Sequence, residues 1–441
     1  MRAMRIGLLA AVLMSSVASA EISGVVIKPT IDVYAEPKFE SPKVATLKRD
    51  ATVTVTAQQG LWYSLKLAQS ATGYVRVNDV RINYGKVEDG DANLRALSSG
   101  KAGVGRVTET AGVRGIDESD LKSASFNQAQ LDAMVANRVD ANAAAALAGE
   151  QHWEATTVAY DAEAKSHKNG GKKGANSSSS GGEATNALKG VLGSFSSGLS
   201  SALGTADKVA PKPEAEQAAE ELALGPQIAG RILGARPLWN DAGAQKRVNV
   251  IGRWVASQTS RPELPWTFGV IDTPEINAFA APGGYVLVTR GMYEILSTDG
   301  EVAAVLGHEI SHCVQRDHYN VIRKQEMAAT GKDLAMSEVK TGTDTASVYA
   351  REYVEKHGAA IMLTALDREA EFRADEAAEV YVARAGMNPV SLYAVLQKMT
   401  AAGTQSASLA QLYKTHPPLD ERMNHIDRRD YKSLKAYTTR E

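Results

Sequence analysis

Only one cysteine, Cys313, occurs in the whole chain. A lone thiol cannot close an internal disulfide, so a disulfide-stapled scaffold is excluded and metal-centred chemistry is left open. Charge of one sign is also lacking. Forty-nine Lys and Arg face 51 Asp and Glu, the net charge is −2 and the pI is near 6.5. No bulk basic field is available to hold nucleic acid. Long apolar runs are missing beyond the N-terminus, so no later segment reads as a membrane span. What is present suits globular domains. Hydrophobic residues make up 44% and charged residues 23% of 441 positions, enough for two or three cores.

The one apolar run is at the start, "MRAMRIGLLAAVLMSSVASAE". Arg2 and Arg5 precede an apolar stretch from Ile6 to Met14, and Ala18-Ser19-Ala20 is a small-residue cleavage site. That order predicts a secretory signal peptide over residues 1–20. The alternative is an uncleaved membrane anchor, for which the run is short. No cysteine follows, so the signal is not of the lipoprotein type. The mature chain is expected to be exported, periplasmic or secreted, with or without membrane association and with no transmembrane span after signal removal.

Residues 22–84 read as all-β. "GVVIKPTIDVYAEP", "KVATLKRD", "ATVTVTA", "WYSLKL" and "GYVRVNDVRI" are β-branched and aromatic, punctuated by Pro, Gly, Asp and Gln-Gln-Gly. The order of these segments resembles a bacterial SH3-like barrel. The resemblance implies attachment to a cell-wall or peptide ligand. The other reading is a spacer that binds nothing. Residues 85–164 form a polar connector (85–105) and then a helical, alanine-rich pattern from Asp117 to Ala164. Leu121, Leu131, Met134 and Val135 recur there at helical spacing. Gly, Ser and Asn dominate residues 165–210, which read as a flexible linker. The C-terminal domain takes residues 211–441.

That domain contains "EVAAVLGHEISHCVQRDH". His308 and His312 are four residues apart on one helix face, where both imidazoles can reach one tetrahedral zinc ion. Glu309 lies about 100° round the helix, offset from the ligand direction but close enough to serve as general base to the zinc-bound water. Burying two histidines and a glutamate in so apolar a helix without a metal would be costly. Cys313 lies about 140° from His308, away from the metal face. It reads as small apolar packing, with a redox brake as the alternative.

The third ligand has several candidates. His318 has the spacing of the last histidine in HExxHxxGxxH, but Gln315 replaces the glycine that would bend the chain. The helix is therefore expected to continue, leaving His318 roughly 9 Å along the axis from His312 as a surface or supporting residue. A second helix, "LDREAEFRADEAAEVYVARAGMNP", ends at Gly386 before Asn388-Pro389. Glu371 could complete a His2Glu site, and Asp375 could accept the spare ring N–H of a ligand histidine. Spacing does not separate Glu371 from Glu369 or Asp367.

Arg368, Glu371, Ala374 and Asp375 follow the R-x-x-E-x-x-A-D pattern, and the region resembles the zinc metalloproteases of the HtpX, BepA and CAAX-prenyl-protease superfamily. The resemblance implies Glu371 as third ligand, with Asp375 as its supporting partner. "VIDTPEINAFAAPGGYVLVTRGMYEIL" resembles the family's N-A-F-x-x-P-G-G segment. Its extended segments beside the zinc helix suggest peptide binding by an edge strand, with Asn277, Ala278, Phe279, Gly283 and Gly284 as substrate-binding residues. "THPPLDER" resembles the family's T-H-P-P-x-x-x-R element. There His416 is an oxyanion donor or an inhibitory ligand, and Arg422 orients loop or substrate. Asp317 holds a position where many relatives carry histidine. The similarity runs from about Glu216 to Arg428.

The expected architecture is multidomain: a small all-β SH3-like barrel, a flexible linker, and a mainly α, zincin-like metalloprotease domain with a small β-sheet. The expected function is a metalloendopeptidase with one Zn2+ per chain. It would hydrolyse unfolded or damaged envelope polypeptides by a zinc-bound water that Glu309 activates. A chaperone-like binding module with a gated zinc site is the alternative from another class. A cell-wall hydrolase is a third.

Overall fold

The structure, a computed structural model, describes residues 21–83, 116, 118–160, 163, 213–330, 343–357, 359–402, 409–429 and 432–440. The expected signal peptide, the polar connector at 85–105 and the linker at 165–210 lie outside the described residues.

The N-terminal domain is a seven-stranded antiparallel sheet: β1 (Ile22–Val26), β2 (Thr30–Tyr34), β3 (Lys43–Lys48), β4 (Thr52–Gln59), β5 (Trp62–Lys66), β6 (Thr72–Arg76) and β7 (Val80–Ile82). The strand order is β3-β2-β6-β5-β4-β1-β7. Val26, Ile31, Val33, Val53, Val55, Tyr63, Leu65 and Val75 face inward, alternating in β2 and β4 with less buried residues, whereas β5 is buried from Trp62 to Leu65. Gly60, at φ +56°, turns β4 into β5.

Three short helices follow: α1 (Glu118–Ser123), α2 (Gln128–Ala136) and α3 (Ala141–Glu150). Asn127 and Asp140 cap α2 and α3 through their side chains. The expected helix to Ala164 stops early, and residues 153–160 follow the C-terminal domain without helix or strand. Thr156, Thr157, Val158 and Tyr160 favour extended backbone. The stretch is held from outside. Thr156 N–H donates to the Arg384 carbonyl at 2.9 Å, Arg384 Nε donates to the Val158 carbonyl at 2.8 Å, and Tyr160 Oη donates to the Arg373 carbonyl at 3.1 Å.

The C-terminal domain begins with α4 (Glu214–Ala235) and α5 (Ala242–Ala256). A three-stranded sheet comprises β8 (Thr267–Ile271), β9 (Ala278–Ala281) and β10 (Tyr285–Thr289). Its order is β8-β10-β9, with β8 parallel and β9 antiparallel to the central strand. Then come α6 (Arg290–Ile295), α7 (Asp299–Gln315), α8 (Asp317–Thr330), α9 (Thr343–His357), α10 (Arg368–Arg384), α11 (Ser391–Ala401), α12 (Leu412–Thr415) and α13 (Leu419–Arg428). The domain is thus mainly helical with a small mixed sheet. Among the described residues no helix is long and apolar enough to cross a membrane.

Helix α7 is the axis of the domain. Every residue from Glu301 to Val314 is buried, as expected of a helix apolar on most sides. A capping box starts it: Thr298 accepts from Glu301 N–H, and the Glu301 carboxylate accepts from Thr298 N–H. Gly307 lets α10 approach closely, since a Cβ there would stand 3.3 Å from Ala378 Cα. Ala374 and Ala377 are also fully buried on α10. This small-residue crossing brings the first turn of α10 within reach of the α7 histidines.

Candidate metal centre

His308 and His312 stand on successive turns of α7, and their Nε2 atoms are 3.2 Å apart. Glu371, from the first turn of α10, places Oε2 3.5 Å from His308 Nε2 and Oε1 3.8 Å from His312 Nε2. Neither competing carboxylate reaches this point. Asp367 caps α10 by accepting from Ala370 N–H at 2.7 Å, and Glu369 is exposed. His416, just after α12, completes the group with Nε2 3.6 Å from Glu371 Oε2. One ligand atom from each of the four residues lies within 4.8 Å of all the others.

Both histidines are held from behind. His308 Nδ1 meets Asp375 Oδ1 at 3.0 Å, and His312 Nδ1 meets Asp317 Oδ2 at 2.9 Å. A carboxylate at Nδ1 selects the tautomer that leaves the Nε2 lone pair free. Asp375 thus meets the spare ring nitrogen of a ligand histidine, as its place on α10 suggests, and its partner is His308 where the resemblance implied Glu371. Arg422 grips the same carboxylate, with Nε to Oδ2 at 2.9 Å and a terminal nitrogen to Oδ1 at 2.6 Å. It thus holds Asp375 behind His308, and it also lines a small cavity with Glu309 and His416. Arg373 likewise holds Asp317 at 3.1 Å.

These residues fit a divalent cation. Two free imidazole lone pairs face each other across 3.2 Å, and a buried carboxylate faces both. Glu371 Oε2 has no hydrogen-bond partner although it is buried. Such an arrangement needs a positive charge at its centre. The histidine ring shows the same need. Burial and Arg422 act to lower the pKa of His308, yet the Asp375 and Glu371 carboxylates raise it from 6.5 to about 9. The same carboxylates thus favour a proton on the His308 ring. Its contribution to stability is fully present below about pH 6.5 and fades as pH rises through about 9. A metal must displace that proton. Uptake of a divalent metal ion at pH 7 is therefore expected to release about one proton, and apparent affinity should rise about tenfold per pH unit before levelling above about pH 9. Calorimetry in buffers of different ionisation heat measures this, and uptake without proton release at pH 7 would refute it.

Helix α7 does not continue past Gln315, contrary to expectation. Arg316 adopts a left-handed conformation (φ 58°, ψ 32°), and α8 starts at Asp317. A non-glycine residue there costs roughly 1–2 kcal/mol. Two acidic residues compensate: Arg316 pairs with Glu221 at 2.9 Å and with Glu214 at 2.6 Å. The bend carries Asp317 back to His312. It also buries His318, whose ring lies 6.0 Å from that of His312. His318 stays outside the four-residue group but lines the cleft, its Nδ1 buried without a partner.

The cleft is a small cavity of about 20 Å³ bounded by Asn277, Ala278, Phe279, Ala280, Glu309, His312, His318, Glu371 and His416. Asn277, Ala278 and Phe279 are thus at the site. Gly283 (φ +73°) and Gly284 (φ +88°) are outside it, because their turn packs on Glu221, Leu222, Leu264 and Trp266. Strand β9 is an edge strand of its sheet, and Met362, Thr364 and Leu366 line the same cavity. Glu309 faces the cavity from α7, and burial raises its pKa above the usual carboxylate value despite both histidines. Cys313 is buried and donates to the Ala281 carbonyl at 3.3 Å, with its pKa raised by the same desolvation.

Residues 243–430 match the family model described as Peptidase family M48. This is a family M48 peptidase domain. The barrel matches the bacterial SH3 domain over residues 29–80. The chain is 25% identical over 212 residues to the beta-barrel assembly-enhancing protease of Escherichia coli, covering 46% of this chain and 42% of that protein. It is 28% identical over 186 residues to a protease HtpX homolog of Thiobacillus denitrificans, covering 35% and 62%. A mitochondrial metalloendopeptidase of Arabidopsis thaliana is 27% identical over 154 residues, covering 35% and 29%. The chain spans less than half the length of the first and third of these relatives. The M48 match begins at residue 243, inside α5 and later than the expected start near Glu216. The parts played by Asp317 and Arg373 behind His312 escaped the sequence reading of the M48 domain. A residue five after His312 faces away on a continuous helix, and only the bend at Arg316 makes it a partner.

Proposed function

We propose that the M48 domain is a zinc-dependent endopeptidase and that His308, His312 and Glu371 hold one zinc ion per chain. The convergence of these side chains on one point, with Glu309 on the same cavity wall, carries the reading. Two imidazole nitrogens and one carboxylate are a donor set that suits zinc over calcium or magnesium. Bound there, zinc supplies a Lewis acid that acidifies water and polarises a peptide carbonyl. Glu309 takes the proton from the attacking water and passes it to the leaving amine. Its raised pKa suits a group that must both accept and return a proton.

His416 is the inhibitory ligand of the resting site in this reading. Burial lowers its pKa to about 3, so its ring is neutral and free to coordinate. Thr415 Oγ1 lies 2.9 Å from its Nδ1. A cavity of about 20 Å³ holds no peptide, so His416 and the segment around Met362–Leu366 must withdraw for substrate. A polypeptide then lies along β9 beside Asn277, Ala278 and Phe279, with Ala278 offering backbone hydrogen bonds at the free edge because the Asn277 backbone is paired with Thr289. Substrates are unfolded or damaged exported proteins. Support comes from the N-terminal signal pattern and from a relative named as a beta-barrel assembly-enhancing protease. The closed cavity favours one second reading, a gated site whose main role is to bind polypeptides.

Zinc-loaded protein, verified at one ion per chain, is expected to cleave a permanently unfolded polypeptide. A chelator should stop the cleavage and added zinc should restore it. If the loaded protein leaves the polypeptide intact but binds it, the gated-binding reading replaces the peptidase reading.

A further inference from the structure

The barrel is seated on α7, α11 and α13, of which α7 carries two of the candidate ligands and α13 carries Arg422. Gln58, at the end of β4, donates to Glu301 Oε1 at 3.3 Å, and Glu301 is the capping residue of α7. The other Glu301 oxygen accepts from Lys398 of α11 at 2.8 Å, inside the protein. Gln397, also on α11 and fully buried, reads the barrel backbone. Its Oε1 accepts from Ile82 N–H at 3.2 Å, and its Nε2 donates to the Val80 carbonyl at 2.6 Å. Arg81 of β7 reaches α13, with one terminal nitrogen on Asp427 at 2.6 Å and the other on Asn424 at 3.4 Å. Its Nε donates to Tyr393 of α11 at 3.2 Å, and Tyr393 Oη in turn donates to Asp427 at 3.3 Å.

Helix α13 is the one that presents Arg422. Arg422 and Asp427 are five residues apart on a ten-residue helix. A fixed α13 therefore fixes the guanidinium that pins Asp375, and through it His308. The far side of α13 is tied to α10, where His425 stacks on Phe372 at 4.4 Å and Arg429 pairs with Glu376 at 3.3 Å. The barrel thus braces α13 from one side while the ligand helix braces it from the other. Polar side chains fill this seat: Gln58 is 4% and Gln397 0% exposed. Buried polar groups whose partners lie across an interface make separation costly, because each would be left unpaired or must be rehydrated.

We propose that the SH3-like barrel is a fixed part of the peptidase and that Arg81 is a positioning residue for the metal centre, acting through Asp427, Arg422 and Asp375 on His308. This rests on the zinc-peptidase reading of the site, but its test does not depend on turnover.

In the full-length chain, Arg81→Ala is expected to weaken zinc binding by about 10-fold, the low end of what losing an outer partner of a ligand costs. Arg422→Ala, one step nearer the ligand, should cost more in the same chelator-competition assay. Asp427→Ala should match Arg81→Ala, and the double variant should add little to either, because both remove one linkage. Arg81→Lys should restore part of the affinity. Lys43→Ala, which breaks an exposed ion pair with Asp32 on the barrel, should leave it unchanged. The cobalt-substituted protein should show a shifted absorption band for Arg81→Ala and none for Lys43→Ala. If Arg81→Ala and Asp427→Ala both bind zinc as the wild type does, the barrel is an independent module and the proposal is overturned. If Arg81→Ala is unfolded, Asp427→Ala decides alone. Should zinc affinity shift while no variant and no wild-type protein cleaves polypeptide, the peptidase reading fails and this one stands.

Discussion

Glu309→Gln is expected to lower polypeptide hydrolysis by about 10²–10⁴-fold, the usual contribution of a general base. Zinc stoichiometry should not change, because Glu309 is not among the four residues whose ligand atoms converge. The substitution keeps shape and removes only the group that accepts a proton. Stability should hold or rise slightly at neutral pH. Burial raises the Glu309 pKa above 4.5, so the folded state disfavours its charge, and that cost is present above the unfolded value. Amide in place of carboxylate removes it. Initial rates on an unfolded substrate, zinc content and a urea midpoint together test the statement. Activity within tenfold of wild type at full zinc loading would remove Glu309 from the reaction.

Arg422→Ala is expected to destabilise the protein by about 3–5 kcal/mol, the cost of stranding one partner of a buried ion pair. Arg422 is 3% and Asp375 0% exposed, and they share two hydrogen bonds of 2.9 and 2.6 Å. Burial would raise the Asp375 pKa, but the Arg422 charge and the bonds from His308 and Arg422 hold it far below the usual carboxylate range. The folded pKa is depressed, so this stabilisation is present above about pH 3.8 and is lost as pH falls through the folded value. The gap between wild type and variant should therefore be full at pH 7 and narrow below about pH 3.8. Arg422→Lys should recover little, since an ammonium cannot reproduce the two-pronged contact. Urea unfolding at pH 7 and at acidic pH measures both; an equal gap at every pH would contradict the account.

Legibility differed from residue to residue for physical reasons. The separation of four between His308 and His312 determines one helix face whatever surrounds it, and their Nε2 atoms lie 3.2 Å apart. The β-branched and aromatic segments expected to be all-β over residues 22–84 likewise form strands from Ile22 to Ile82, paired antiparallel. Glu371 was one of three carboxylates by spacing. The close crossing at Gly307 and the capping role of Asp367 decide which of them meets the histidines. Asn277 and Gly284 belong to one quoted motif, yet β9 leads from the cleft to a turn packed on Glu221, so only one end of the motif lines the site. Alanine content carried the expected helix too far toward Ala164. Residues 153–160 take their backbone partners from α10, which no local pattern reveals.

Periodicity and composition are local, and they determined by themselves a small β-domain, no internal disulfide, and a helix with His308 and His312 on one face. Tertiary structure decided everything that depends on where a chain turns back. A left-handed Arg316, held by Glu214 and Glu221 from a helix about 100 residues earlier, brings Asp317 to His312 and His318 to the cleft. Arg81, more than 300 residues before Asp427, seats the barrel on the helix of Arg422. Such pairs carry no signal in one sequence, because the energy that makes them is electrostatic attraction across a buried interface and appears only once that interface has formed.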